Sequence, residues 1–336
     1  MKILLTGGAG YIGSTTAAHL LLAGHELTVY DNLSRGHRAA VPAEATFVEG
    51  DIGDRARLDG VLSAGFDAVV HFAAHIEAGE SMRHPAAYFG NNTNGSLTLI
   101  DAAAAHGVGA FVFSSTAAVY AGQDEPLNET ATIAPANVYG QSKRMVEEIL
   151  AWYRRLFGLR VAVLRYFNAS GASTAGGRLR GEAHQPETHL IPLILQVALG
   201  QREQIAIFGD DYPTRDGTNV RDYIHIDDLA QAHVLALAAL HAGEAEWLVY
   251  NLGNGRGYSN LQVLNTAREV TGHPIPAVMA PRRPGDAPVL VASSAKIQQE
   301  MGWRPQKPEL KTIIGTAWDW HRRHPNGYTD EPQEAT

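Results

Sequence analysis

Tyr139 and Lys143 stand four residues apart in the run Tyr139-Gly140-Gln141-Ser142-Lys143. Four residues is about one helical turn, so a helix here places a phenol and an ammonium on one face. A phenol of ordinary pKa near 10 is a poor base at neutral pH. A neighbouring ammonium favours its anion, as does any cationic ring bound beside it, and the pair then has the makings of a general base. Upstream, Phe113-Ser114-Ser115-Thr116 ends an apolar run in three hydroxyls. At the carboxyl end of a parallel strand, hydroxyls stand where such folds bind ligands, although strand-end hydroxyls also serve as turn and cap residues.

The third chemical feature lies at the start. Thr6-Gly7-Gly8-Ala9-Gly10-Tyr11-Ile12-Gly13 follows a short apolar run, with Gly7, Gly10 and Gly13 spaced by three. Between a strand and a helix, glycine is needed where a Cβ would block the turn or the close approach of a pyrophosphate, and the helix N-terminus supplies unpaired N–H groups to that charge. Asp31 closes the next apolar run. A carboxylate there accepts hydrogen bonds from both hydroxyls of an adenosine ribose and repels a 2′-phosphate, which favours NAD over NADP. Asp51-Ile52, after a third run, would flank the adenine or be an ordinary loop pair.

These features need a frame to hold them. Short runs rich in β-branched residues, 2–6, 26–31, 46–49, 68–72, 110–114 and 160–165, alternate with helical patterns at 14–23, 94–105 and 137–157. This is the pattern of βαβ units over a parallel sheet. Gly24 is placed to end the first helix in a left-handed cap. On 137–157 the apolar stripe of Met145, Val146, Ile149, Leu150, Tyr153, Leu156 and Phe157 is broad enough to serve a sheet and a second helix together. After Arg165 the texture changes, with many glycines in 171–181 and shorter strands, so the chain divides into a first domain of 1–169 and a second of 170–336, with some later segments free to return to the first. Helices are expected at 189–199, 227–240, from a Ser259/Gln262 capping box to about Thr271, and at 309–323, with a disordered tail from Tyr328 to Thr336. The fold class is α/β, a Rossmann-type doubly wound parallel sheet with a smaller mixed α/β substrate-binding domain.

Composition narrows the function. The 336 residues carry 35 acidic and 27 basic groups, and no cysteine, which removes disulfides, thiol nucleophiles and thiolate metal sites. No basic run is longer than a pair such as Arg282-Arg283 or Arg322-Arg323, too little clustered charge for nucleic acid as the main partner. Thr6-Gly7-Gly8 interrupts the opening apolar run, so neither an export signal nor a membrane span is read, and the expected compartment is the cytoplasm. His71 and His75 have the i,i+4 spacing of a helical metal pair but lie in a strand-to-loop context, and His321 and His324 suit a helix C-terminus; no metal site is expected.

Taken together, the glycine turn, the strand-end hydroxyls and the Tyr/Lys pair resemble the extended short-chain dehydrogenase/reductase family, and within it the nucleotide-sugar epimerases. The resemblance runs from Lys2 to about Tyr328 through Asp31-Asn32-Leu33, Phe47-Val48-Glu49-Gly50-Asp51-Ile52, His71-Phe72-Ala73-Ala74, Gly79-Glu80-Ser81, Leu164-Arg165-Tyr166-Phe167-Asn168, Ile207-Phe208-Gly209-Asp210-Asp211-Tyr212-Pro213-Thr214, Val220-Arg221-Asp222-Tyr223-Ile224-His225 and Tyr250-Asn251-Leu252-Gly253. It implies NAD-dependent inversion at C4 of a UDP-hexose, between UDP-galactose and UDP-glucose, through a transient 4-ketose. Tyr139 would take the 4-hydroxyl proton, Thr116 would bond the 4-oxygen and Lys143 the nicotinamide ribose. The cofactor would be held by Gly7, Gly10, Tyr11, Ile12, Gly13, Asp31, Asn32, Asp51, Ile52, Phe72, Ala73, Ala74, Asn91, Ser114, Tyr139, Lys143 and Tyr166. The UDP-sugar would meet Thr116, Tyr139, Asn168, His189, Leu190, Ala206, Phe208, Arg221, Arg283, Asp286 and Leu290, with the arginines clamping the diphosphate, Phe208 near uracil and Asp286 on ribose hydroxyls. It also implies a homodimer through helices 94–105 and 137–157.

Two points qualify the resemblance. Ala117-Ala118 follow Thr116 where a 4,6-dehydratase needs acidic side chains, which argues against dehydration. Ile76 stands near where some epimerases place a lysine by the NAD pyrophosphate, and Leu290 where the family varies a residue beside the sugar C2 substituent. Epimerases of UDP-N-acetylhexosamines or UDP-pentoses therefore stay open, as does an NAD-sensing regulator of the same fold, against which the intact Tyr/Lys pair counts.

Overall fold

The structure, a computed structural model, describes residues 1–122, 126–283 and 286–329. From residue 330 on, the expected disordered tail lies outside the described residues. The chain forms two compact units. Met1–Ala121, Glu129–Arg165 and Ala230–Tyr250 make the first, and Gly122–Asn128, Tyr166–Leu229 and Asn251–Thr336 the second. The boundary nearest residue 169 thus lies at 165/166, and 230–250 belong with the first unit.

The elements are, in order, β1 (Lys2–Thr6), α1 (Tyr11–Leu22), β2 (Glu26–Asp31), β3 (Thr46–Glu49), α2 (Arg55–Leu62), β4 (Ala68–His71), α3 (Ala78–Ser81), α4 (Pro85–Tyr88), α5 (Ser96–Ala105), β5 (Ala110–Thr116), α6 (Val138–Phe157) and β6 (Arg160–Tyr166). There follow β7 (Asn168–Ser170), α7 (Leu190–Ala198), β8 (Ile205–Phe208), β9 (Val220–His225), α8 (Ile226–Ala242), β10 (Trp247–Leu252), β11 (Gly257–Ser259), α9 (Asn260–Thr271), β12 (Ala277–Ala280), β13 (Val289–Leu290), α10 (Ala295–Met301) and α11 (Leu310–Arg323).

Seven strands form one sheet in the order β3-β2-β1-β4-β5-β6-β10, the doubly wound order with an added edge strand. β1 pairs in parallel with β2 and β4, and β2 with β3. Every residue of β5 is buried, as a strand covered on both faces requires. Val69, Phe111, Phe113, Val161 and Val163 of the sheet pack with Leu99 and Ile100 of α5 and Val146 and Leu150 of α6. α6 begins where the Asn137 side chain accepts the Gly140 N–H and ends at Gly158, whose φ of 69° is left-handed. A π-helical stretch, Phe89–Gly95, leads into α5 where a helix from residue 94 was expected.

In the second unit β9 lies between β11 and β13 and also pairs with β7, while β8 pairs with β12. Ile191, Ile194 and Leu195 of α7, Val263 and Leu264 of α9, and Ile313 and Ile314 of α11 close a second core around Ile205 and Ile207. The Ser259/Gln262 capping box is formed in full.

Candidate active site

At the first turn, Gly7 has φ 73°, and a Cβ on it would stand 2.4 Å from the Ala73 backbone nitrogen. A Cβ on Gly13 would stand 2.1 Å from the Gly7 carbonyl oxygen. These two glycines are therefore required by the fold itself. Gly10 is different: its φ is −78° and a Cβ would meet only the Gly7 oxygen, at 3.3 Å. Nothing internal requires glycine there, so its bare backbone at the N-terminus of α1 fits a pyrophosphate approaching from outside. Asp31 is buried, with Oδ2 accepting the Ala9 N–H at 2.9 Å and Oδ1 the Leu33 N–H at 2.8 Å. Burial raises its pKa against those bonds. Leu33 pays for this with a φ of 57°, which the sequence alone did not signal. The Asn32 side chain donates to Asp51 Oδ2 at 2.7 Å. Ile52 lies in the core, so any cofactor contact from it comes from backbone.

The carboxyl end of β5 meets the start of α6. A Cβ on Gly140 would stand 2.2 Å from the Ala118 oxygen, so glycine between Tyr139 and Lys143 lets the helix touch the segment after Thr116. The Tyr139 phenol lies near enough to the Thr116 side chain for that hydroxyl to favour its anion, and Thr116 Oγ1 accepts the Ala118 N–H at 3.1 Å. The Tyr139 N–H donates to Ser81 Oγ at 3.1 Å. Lys143 Nζ donates to the Ser114 carbonyl at 3.0 Å and lies 5.0 Å from the centre of the Phe113 ring.

Burial shifts both groups. Tyr139 is pushed up to about 12, chiefly by burial, with the nearby Thr116 hydroxyl lowering it and the Glu77 charge adding to the rise. Lys143 is pushed down to about 7 by burial alone. In the protein without bound cofactor, desolvation is the largest influence on both groups, and the cationic ring that the spacing argument also invokes would act against it on Tyr139.

Sequence reasoning missed what lies beneath. Arg165 donates to Glu147 through Nε at 2.9 Å and Nη2 at 2.6 Å, and to the Tyr120 hydroxyl at 2.8 Å, while Ser115 Oγ donates to Glu147 at 2.6 Å. This buried network ties α6 to β5 and β6 one turn below Lys143. A signal existed, since 139, 143 and 147 share one helix face. The two ring nitrogens of His71 are taken by Thr6 Oγ1 at 2.7 Å and Ser96 Oγ at 2.8 Å, and the His75 ring packs on Tyr88. Among the remaining cofactor candidates, Tyr11 and Ile12 open α1, Phe72, Ala73 and Ala74 follow β4, and Asn91 lies in the π-helical stretch.

The second unit gathers the residues expected at the nucleotide. Leu290 of β13 pairs with Arg221 of β9, and Asn168 of β7 pairs with Tyr223 and donates its side-chain N–H to the Asp222 carbonyl at 2.9 Å. Arg221 Nη1 donates to the Ala287 carbonyl at 2.9 Å and Nη2 lies 3.9 Å from Asp286. Ala206 and Phe208 share the half-open face of β8, and the Arg283 guanidinium lies 3.8 Å from the Phe208 ring centre. His189 caps α7 and Leu190 begins it. Tyr166 ends β6. The sequence missed Asp222, which accepts the N–H groups of Asn254, Gly255 and Ala292 and so binds three segments together around Arg221.

The NAD dependent epimerase/dehydratase family model matches residues 3–253. The chain belongs to that family. Among the members of the family to which it is similar is the UDP-glucose 4-epimerase of Lacticaseibacillus casei, 50% identical over 98% of this chain and 99% of that one. A solved UDP-glucose 4-epimerase is 47% identical with a TM-score of 0.94, covering 98% of this chain and all of the other. The UDP-glucose 4-epimerase of Bifidobacterium longum, solved with NAD+ and UDP, is 34% identical with a TM-score of 0.91 over 98% of this chain and 100% of that one. Family membership makes this an α/β, Rossmann-type, NAD-dependent chain. No helix among the described residues is long and apolar enough to cross a membrane.

Proposed function

We propose that the protein interconverts UDP-galactose and UDP-glucose by inversion at C4 through a transient 4-ketose. The observation that carries this reading is the placement of the Tyr139 phenol by the Thr116 hydroxyl at the carboxyl edge of the sheet, with Lys143 buried one turn along α6. In it, Thr116 and Tyr139 share the sugar 4-oxygen. Tyr139 takes the hydroxyl proton and returns it once the ketose has presented its other face. NAD, when bound, accepts and returns the hydride and brings positive charge to the site. That charge opposes the burial that holds the phenol at about 12, and Lys143, near 7, can give or take a proton at neutral pH. Gly10 and Asp31 hold the cofactor at pyrophosphate and ribose. Asn168, Arg221, Phe208, Arg283, Asp286 and Leu290, with His189, Leu190 and Ala206, receive the nucleotide and sugar. The names of the relatives support the hexose pair as the substrate.

We place the enzyme in the cytoplasm, as a homodimer joined through α5 and α6. Supporting the dimer, Leu97, Trp152, Leu156 and Phe157 on these helices are 40 to 67% exposed. Light scattering should give twice the 36.2 kDa chain mass, and a monomeric particle overturns the dimer. For the reaction, proton NMR of the purified protein with UDP-galactose and no added NAD should show UDP-glucose anomeric signals. Their absence even with added NAD, while UDP-N-acetylglucosamine or UDP-pentoses react, would move the assignment to those sugars, and silence with all of them would refute it.

A further inference from the structure

Between β7 and α7, Glu182, His184, Glu187 and His189 turn one donor atom each into a common space, with all four atoms within 4.8 Å of one another. We propose that this is a binding site for one first-row divalent transition-metal ion, of the Zn²⁺ type, which pins the segment leading into α7. The ion is bound by two imidazole nitrogens and two carboxylate oxygens.

The geometry fits such an ion. His184 Nδ1 and His189 Nδ1 lie 3.1 and 2.8 Å from the same oxygen, Glu182 Oε1, and His189 Nδ1 lies 2.8 Å from Glu187 Oε1. Zinc–ligand bonds of about 2.0–2.2 Å in a tetrahedron separate donors by about 3.3 Å. The three short separations lie within about half an ångström of that spacing, and the widest, at most 4.8 Å, has to close by no more than about 1.5 Å to bring the donors onto one centre. Charge fits as well, since two carboxylates and two neutral imidazoles are balanced by a dication. The donor set selects among ions: imidazole nitrogen with carboxylate oxygen suits zinc and its neighbours, whereas calcium and magnesium want oxygen alone.

The site is also built and held. Glu182 is 94% buried by its 6% exposure, so its carboxylate is aimed inward and is not a solvated surface charge. The Trp320 indole N–H donates to the Glu182 carbonyl at 2.9 Å, and His321, also buried, faces Glu182 and Glu187 from α11. Glu187 is oriented by two backbone N–H groups at 2.7 and 2.8 Å. Outer contacts of this kind fix ligand orientation in metal sites. The spacing Glu-x-His-x-x-Glu-x-His lies in a loop, so no helical or strand period announced it in the sequence.

The test uses the full chain, freed of metal with a chelator and exchanged into clean buffer. Zn²⁺ alone is titrated calorimetrically, and bound zinc is counted by mass spectrometry after gel filtration. The expected result is one Zn²⁺ per chain with a submicromolar Kd and a higher melting temperature. His184→Ala and Glu187→Gln should each weaken binding at least about tenfold, the size produced even by loss of an indirect partner. Magnesium alone should give no such heat. Two results overturn the proposal. One is the absence of retained zinc, which leaves the cluster as hydrogen-bonded ion pairs. The other is unchanged zinc binding in both variants, which places the ion on other histidines. Circular dichroism confirms that each variant is folded, and the metal readout is independent of the proposed epimerase activity.

Discussion

Two successive turns of α6 treat buried charge in opposite ways. Lys143 is 3% exposed, and among the described residues its hydrogen-bond partner is a neutral carbonyl. Glu147, 1% exposed, meets the two-pronged guanidinium of Arg165, itself 5% exposed. Burial alone therefore moves Lys143 to about 7, whereas the Glu147 carboxylate holds Arg165 above its ordinary value despite burial. One helix thus carries a charge left unpaired, where a proton has to move, and a charge fully paired, where the helix has to stay put. Pairing Lys143 with a carboxylate would fix its proton and remove its use.

The largest test of this contrast removes the proton acceptor. Tyr139→Phe should lower turnover about 10³-fold, the range of general-base contributions, while NAD content after purification is unchanged. Stability should change by no more than about 1 kcal/mol, since the substitution removes a single hydroxyl. Near-normal turnover would refute the role of the phenol. One turn on, the loss should be structural. Glu147→Gln leaves the Arg165 charge buried without its partner and should cost about 3 kcal/mol in urea unfolding. The double change Glu147→Leu with Arg165→Met should cost less than that single change, since it removes both charges. If it costs more, the pair stabilises the fold and does not merely neutralise itself.

Lys143→Met should act in the other direction. Below about pH 7 the folded protein must carry the ammonium in its buried site, whereas the unfolded chain carries it in water, so the full penalty is present. Between about 7 and the ordinary 10.5 the folded protein binds fewer protons than the unfolded chain, so its stability rises with pH and the penalty fades. The gap sets a ceiling of about 5 kcal/mol. Allowing for the lost bond to Ser114, the variant should be about 2 kcal/mol more stable than the parent at pH 6, and little different by pH 10, while inactive. A variant less stable at pH 6 would show that the lysine is not held against its solvation.

The same helix shows what the sequence could reveal. The ends of β1, β2 and β3, the Ser259 capping box and the left-handed Gly24 after α1 were legible because each rests on local chemistry: β-branched runs, a side chain three residues from its N–H, a residue free to adopt positive φ. Tyr139, Thr116 and Gly10 were legible as types at telling positions. β10 beside β6 was not, because a pairing across some eighty residues leaves no local trace. The burial that opposes the Tyr139 anion was not legible, because spacing gives proximity but not dryness. The pairing of Glu147 with Arg165 was not legible, since a helix face looks the same in sequence whether it meets water or a strand that carries its partner.

The smallest effect separates a pair from a network. Arg144, about one-third exposed, reaches Glu147 Oε2 at 3.1 Å and Glu148 Oε1 at 3.0 Å. If Glu147 is already neutralised by the two prongs of Arg165, a second cation open to solvent adds little. Arg144→Ala should then cost less than about 0.5 kcal/mol, and salt should erase the difference. The argument turns on geometry: Arg165 offers Nε and Nη2 to the two Glu147 oxygens in a buried fork, whereas Arg144 holds one of them from the helix surface three residues away. Urea unfolding at low and high salt measures both quantities. A cost near that of Glu147→Gln, insensitive to salt, would mean that the carboxylate needs all three partners, and that the rigid turn of α6 depends on its surface as much as on its core.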